Sequence, residues 1–115
     1  LEKKGGFPMG MNDVFVSIAG GLRLSEPALD LAMLAAIASS LLNKPVDPRT
    51  MVVGEVGLSG EVRGVTMIDR RLAEAAKLGF TAAVIPAMNA AQAKRELPSV
   101  HGVGSLQEAI EVLLG

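Results

Sequence analysis

Between Ala28 and Leu42, twelve of fifteen residues are apolar, and only Asp30, Ser39 and Ser40 are not. The run is longer than ordinary strands, and wound as a helix it offers almost no polar stripe to water. It therefore predicts a central helix, buried on most faces, around which the other elements are layered. Its ends are marked. Ser25 is a good N-cap, Glu26 suits the positive end of the helix dipole, and Pro27 stands where a first-turn proline is tolerated. Asn43-Lys44-Pro45 stops it. The longest unbroken apolar stretch, Leu31 to Ala38, falls far short of the roughly 20 residues that cross a bilayer. No membrane span is predicted, and a cytoplasmic location is expected.

The rest of the chain supplies the layers. Asp13-Val14-Phe15-Val16-Ser17-Ile18 is rich in β-branched residues and reads as a strand, followed by a Gly20-Gly21 turn. Residues 1–12 read as an edge segment of the same domain, anchored by Phe7, Met9 and Met11. Met51 to Val53 predicts a strand, and residues 54–63 a hairpin turning near Ser59-Gly60. Residues 68–78 carry Ile68, Leu72, Ala75 and Ala76 on one side and Arg70, Arg71, Glu74 and Lys77 on the other, a helix closed by Gly79. Phe80 to Ile85 predicts a strand, Asn89 to Glu96 a weaker helix, and Val100 to Val103 a short strand. Ser105 caps a last helix with Leu106, Ala109, Ile110 and Leu113 on one face. At 115 residues the chain fits one α/β (α+β) domain with a mixed sheet and packed helices. Leu1 to Gly6 lacks an initiator Met and an apolar signal region, so the chain reads as a piece of something longer.

Composition removes several chemistries. There is no cysteine, so thiolate zinc sites, disulfides and cysteine nucleophiles are excluded within these residues. His101 is the one histidine, which makes any Ser-His-Asp arrangement depend on it alone. Three phenylalanines without Tyr or Trp make a poor base-stacking platform, and a net charge of −1 means that any DNA contact comes from a local patch. Neither a phosphate loop nor a dinucleotide glycine fingerprint is present. Glu55 and Glu61 could face each other across the hairpin with His101 nearby, but solvated glutamates explain them more simply. What composition leaves open is a Ser-Lys dyad, in which a lysine buried enough to lose its proton activates a serine.

Six segments in order carry a resemblance. Asp13 to Ile18, the proline-led helix from Pro27, Asn43-Lys44-Pro45-Val46, Val53 to Val62, Arg71 to Gly79 and Ala83-Val84-Ile85-Pro86 together resemble the proteolytic domain of Lon-type peptidases. The resemblance implies that domain's fold, of the kind also termed ribosomal protein S5 domain 2-like, over residues 13–115. In the active family a serine follows the proline that opens the apolar helix, and a lysine opens the next helix 43 positions on. Carried onto this chain, those positions are Ala28 and Arg71. The threonine that orients the lysine corresponds to Val53. Alanine has no nucleophile, and an arginine with a pKa above about 12 is no general base near neutrality.

The Asp13 to Ala32 pattern, with two glycines, an arginine and Glu26-Pro27-Ala28, is similar in particular to the Lon-like C-terminal domain of the RadA/Sms DNA-repair family. That resemblance implies a non-catalytic scaffold and DNA-proximal domain in a DNA-dependent ATPase that promotes branch migration of recombination intermediates. It implies assembly with itself into a ring, a hexamer by expectation, contact with branched or single-stranded DNA mainly through the full-length protein, and the recombinase RecA as a partner. ATP, magnesium and zinc are expected only in upstream domains, with no cofactor in this one. The basic residues that could meet phosphate are Arg70, Arg71, Lys77, Arg23 and Arg63, with Lys44, Arg49, Lys94 and Arg95 scattered elsewhere. Ordinary salt-bridged solvation, such as Arg70 with Glu74, explains most of them without DNA. The alternative is an active Ser-Lys peptidase domain in which a serine such as Ser25 pairs with a lysine elsewhere.

Overall fold

The computed structural model describes residues 26–93 and 96–115. The strand expected at 13–18, the edge segment 1–12, Ser25, Arg23, Lys94 and Arg95 lie outside the described residues.

Pro27–Leu29 forms one 3-10 turn, closed by the Leu29 N–H donating to the Glu26 carbonyl at 3.0 Å. It leads into α1, Asp30–Leu42, which ends at Asn43 in the left-handed conformation (φ 55°). Three parallel strands follow in the order β1, β4, β5: β1 is Thr50–Val52, β4 Ala82–Pro86 and β5 Ser99–Val103. Antiparallel pairing forms a separate ribbon of β2 (Glu55–Val56) and β3 (Val62–Arg63), with one further antiparallel bridge between Glu61 and Ser105. Parallel neighbours need crossovers. These are supplied by α2, Ile68–Lys77, between β3 and β4, and by a single turn, α3, Ala87–Ala90, between β4 and β5. The last helix, α4, spans Leu106–Leu114.

The strand period of two sorts side chains into two cores. Val52, Val84 and Val103 face α1 and α4, packing with Leu31, Leu34, Ala38, Leu106 and Ile110. Met51, Ala83, Ile85 and Val100 face the other way, against Leu72 and Ala75 of α2. The result is an α/β/α sandwich, the α/β class that the sequence implies.

Three expectations change. First, α1 buries Leu31, Leu34, Ala35 and Ala38 but leaves Ala36, Ser40 and Leu41 exposed. It is therefore buried along one side and not on most faces. Second, the helix expected over 89–96 stops at Ala90, because Asn89 turns its amide onto the backbone of Val65. Its Oδ1 accepts from the Val65 N–H at 2.8 Å and its Nδ2 donates to the Val65 carbonyl at 3.1 Å. An asparagine that satisfies backbone groups elsewhere favours a short turn over a propagating helix. Gly102 lets that turn sit close on β5, since a Cβ there would lie 2.7 Å from the Ala90 methyl. Third, in α4 the buried residue near the end is Leu114, with Leu113 half-buried against the same core. The Ser105 cap forms as read: its hydroxyl accepts from the Glu108 N–H at 3.1 Å, and the Glu108 carboxylate accepts from the Gly104 N–H at 2.8 Å.

Leu31 joins the helix to the sheet and is completely buried. Leu31→Ala is expected to lower the free energy of unfolding by about 2–5 kcal/mol, measured by urea denaturation.

Candidate functional site

The site is built where β1 gives way to β2. The Gly54 N–H donates to the Ala28 carbonyl at 2.8 Å, and the Gly54 carbonyl accepts from the Leu31 N–H at 3.0 Å. A Cβ on Gly54 would stand 3.0 Å from Val62 Cγ1 and 3.2 Å from Leu31 Cδ2, so a glycine lets the strand meet the helix this closely. Two residues on, the Val56 N–H donates to Asp30 Oδ2 at 3.1 Å. Asp30 is only 2% exposed. It stands in the first turn of α1 and ties that turn to β2. Read as a merely polar interruption of the apolar run, Asp30 is the positioning residue that sequence patterning did not single out.

This clamp fixes the 3-10 turn at the edge of a cleft of about 210 Å³ lined by Glu26, Pro27, Ala28, Glu55, Gly64 to Thr66 and Arg71. Ala28 and Arg71, far apart in sequence, thus share one cleft. The Ala28 methyl is mostly buried (7% exposed) and packs in the same apolar cluster as Val53. Arg71 reaches over the cleft from the first turn of α2. Its Nε–H donates to the Thr66 carbonyl at 2.9 Å, and its Nη2 lies 3.7 Å from Glu26 Oε1. Among the described lining residues the only hydroxyl is that of Thr66, and no lysine is present.

The other candidates divide. Arg70 is exposed and sits 3.9 Å from Glu74, with Lys77 one turn further on the same helix face. The stripe therefore reads plus, minus, plus. Arg63 is held more firmly: Glu61 Oε2 accepts from its Nε at 3.1 Å and its Nη2 at 2.9 Å, and Glu55 lies 3.7 Å away. Glu61 does not face Glu55. The register pairs Glu55 with Arg63, and Glu61 folds back over the turn to accept from the Ser59 N–H. A hydrogen bond from its own backbone, then the Arg63 guanidinium, hold its carboxyl below the usual range. His101 lies away from both, with Nε2 3.2 Å from Ser99 Oγ on β5. Among the described residues no three of His, Asp and Glu gather as a metal group, so the Glu55, Glu61 and His101 cluster does not form. Lys44 and Arg49 are exposed on the loop before β1.

A family described as subunit ChlI of Mg-chelatase matches residues 2–89. The chain belongs to that family. Along its whole length it is also 48% identical to a DNA repair protein RadA from Halalkalibacterium halodurans and 45% identical to that of Bacillus subtilis. Over 97% of its length it is 42% identical to the RadA of Escherichia coli. The chain spans about a quarter of the length of these curated relatives. The resemblance drawn from the motifs therefore holds. No helix among the described residues is long and apolar enough to cross a membrane.

Asp30→Ala is expected to lower stability by about 1–3 kcal/mol, because it leaves a buried backbone donor with one partner fewer. Asp30→Asn, which keeps an acceptor in place, is expected to cost less. Thermal or urea unfolding of the two variants checks the order.

Proposed function

We propose that this chain is a non-catalytic, Lon-like scaffold domain of a RadA-type DNA-repair protein, where it helps assemble a ring and contributes weak contacts to DNA. The observation that carries this reading is the chemistry of the cleft. The nucleophile position is an alanine methyl packed against Val53, and the base position is an arginine hydrogen-bonded to Thr66. A guanidinium stays protonated near neutrality and cannot take a proton from a hydroxyl. Likeness to RadA proteins over the whole chain supports the setting in DNA repair.

In this reading ATP hydrolysis, magnesium and zinc belong to parts of the longer protein beyond this domain, and branch migration and any contact with RecA are activities of the whole. DNA contact here is modest, because carboxylates answer most of the basic candidates. Arg70 and Lys77 remain the residues best placed to reach phosphate, on one exposed face of α2.

The chain is expected to bind duplex or branched DNA weakly, with affinity falling as salt rises. Arg70→Ala and Lys77→Ala are each expected to weaken binding uniformly across sequences and to reduce the slope of log K against log salt by about 1. Fluorescence anisotropy over a salt series measures both. Light scattering of the same chain at increasing concentration is expected to show self-association. A strict monomer that ignores DNA at low salt would sink the reading.

A further inference from the structure

The two contacts of Arg71 differ in kind. Its Nε–H donates to a backbone carbonyl at 2.9 Å, a good hydrogen bond that fixes the plane of the guanidinium over the cleft. Its Nη2 meets Glu26 Oε1 only at 3.7 Å, beyond hydrogen-bond distance, between side chains 31% and 48% exposed. An ion pair this open shifts an equilibrium by about five-fold at most. Glu26 thus neutralises Arg71 without locking it. A phosphate oxygen offers the same guanidinium edge a shorter, charge-assisted contact, of the kind arginine forms best. Among the described residues the neighbouring charges have partners elsewhere: Glu55 also lines the cleft and lies 3.7 Å from Arg63, and Arg70 lies 3.9 Å from Glu74.

We propose that Glu26 is an internal competitor for Arg71, occupying its guanidinium until a phosphate displaces the carboxylate, so that the cleft holds a conditional phosphate contact. The Thr66 carbonyl keeps the arginine aimed while the carboxylate swings away. The inference rests on the DNA contact proposed above for this chain, and Glu26 sets how much of that contact Arg71 contributes. Arg71 is thereby separated from Arg70, which faces Glu74, and from Lys77, both exposed on α2.

The test compares the chain with Glu26→Gln, Arg71→Ala and the double variant, by anisotropy with a duplex oligonucleotide over a salt series. Glu26→Gln is expected to tighten binding about three- to five-fold and to steepen the salt slope by about 1. In the double variant both gains are expected to vanish. Unchanged affinity in Glu26→Gln overturns the proposal. So does a gain that survives Arg71→Ala, since that gain would reflect net charge alone. If no form binds the duplex, the DNA reading fails, and titration with pyrophosphate followed at the Arg71 Nε resonance still decides the competition. A shift at lower pyrophosphate in Glu26→Gln than in the parent supports the proposal, and identical titrations overturn it.

Discussion

At Gly54 the backbone of one residue answers two groups of the helix start, donating to the Ala28 carbonyl and accepting from the Leu31 N–H, while Asp30 takes the N–H of Val56 from the next strand. Three short contacts join the 3-10 turn and the first turn of α1 to the bend between β1 and β2. Helix starts leave backbone donors without partners, and a buried start needs them satisfied. Here a strand end does this, and both apolar cores inherit the geometry. Leu31 is carried into the cluster with Val84 and Ile110, and Ala28 into the cluster with Val53 and Leu72. The same three contacts set the wall of the cleft, so fold and site share one cause.

The described lining of the cleft that results holds an alanine methyl, an arginine and one hydroxyl, that of Thr66, with no lysine. A nucleophile needs a hydroxyl with a base in reach. The position nearest the clamp carries only a methyl group, and the cation opposite it is tied to a carbonyl and faced by a carboxylate. Carboxylates outnumber the cations in and beside the cleft: Arg71 opposes Glu26, and Arg63, next to the cleft wall at Glu55, lies between Glu55 and Glu61. Among the described residues Arg63, Arg70 and Arg71 each stand beside a carboxylate. Any grip on DNA through them rests on a few separated charges.

Local signals were the legible ones. Ser105 with Glu108 three residues later announces a capped helix, and that cap forms because its partners are neighbours in sequence. The apolar run from Ala28 announces α1, and the alternation of Arg70, Leu72, Glu74 and Ala75 announces α2. What depends on distant partners was not legible. The burial of Asp30 depends on Val56, the early stop of α3 on the backbone of Val65, and the ion pair of Arg71 on Glu26. The spacing of Glu55 and Glu61 left the hairpin register open. Gly57 bonds both to the Glu61 carbonyl and to the Gly60 N–H, a turn that sets Glu55 opposite Arg63. The dyad positions were legible only through resemblance, because an alanine and an arginine carry no signature of their own.

The proposed reading is that this domain carries no peptidase reaction of its own. The most direct measurement is exposure of the chain to a fluorogenic peptide and to a fluorophosphonate that labels activated serines. Neither turnover nor labelling is predicted. Hydrolysis or labelling that disappears on substituting a serine, such as Ser25→Ala, would contradict the account, because it would reveal a working nucleophile in the chain.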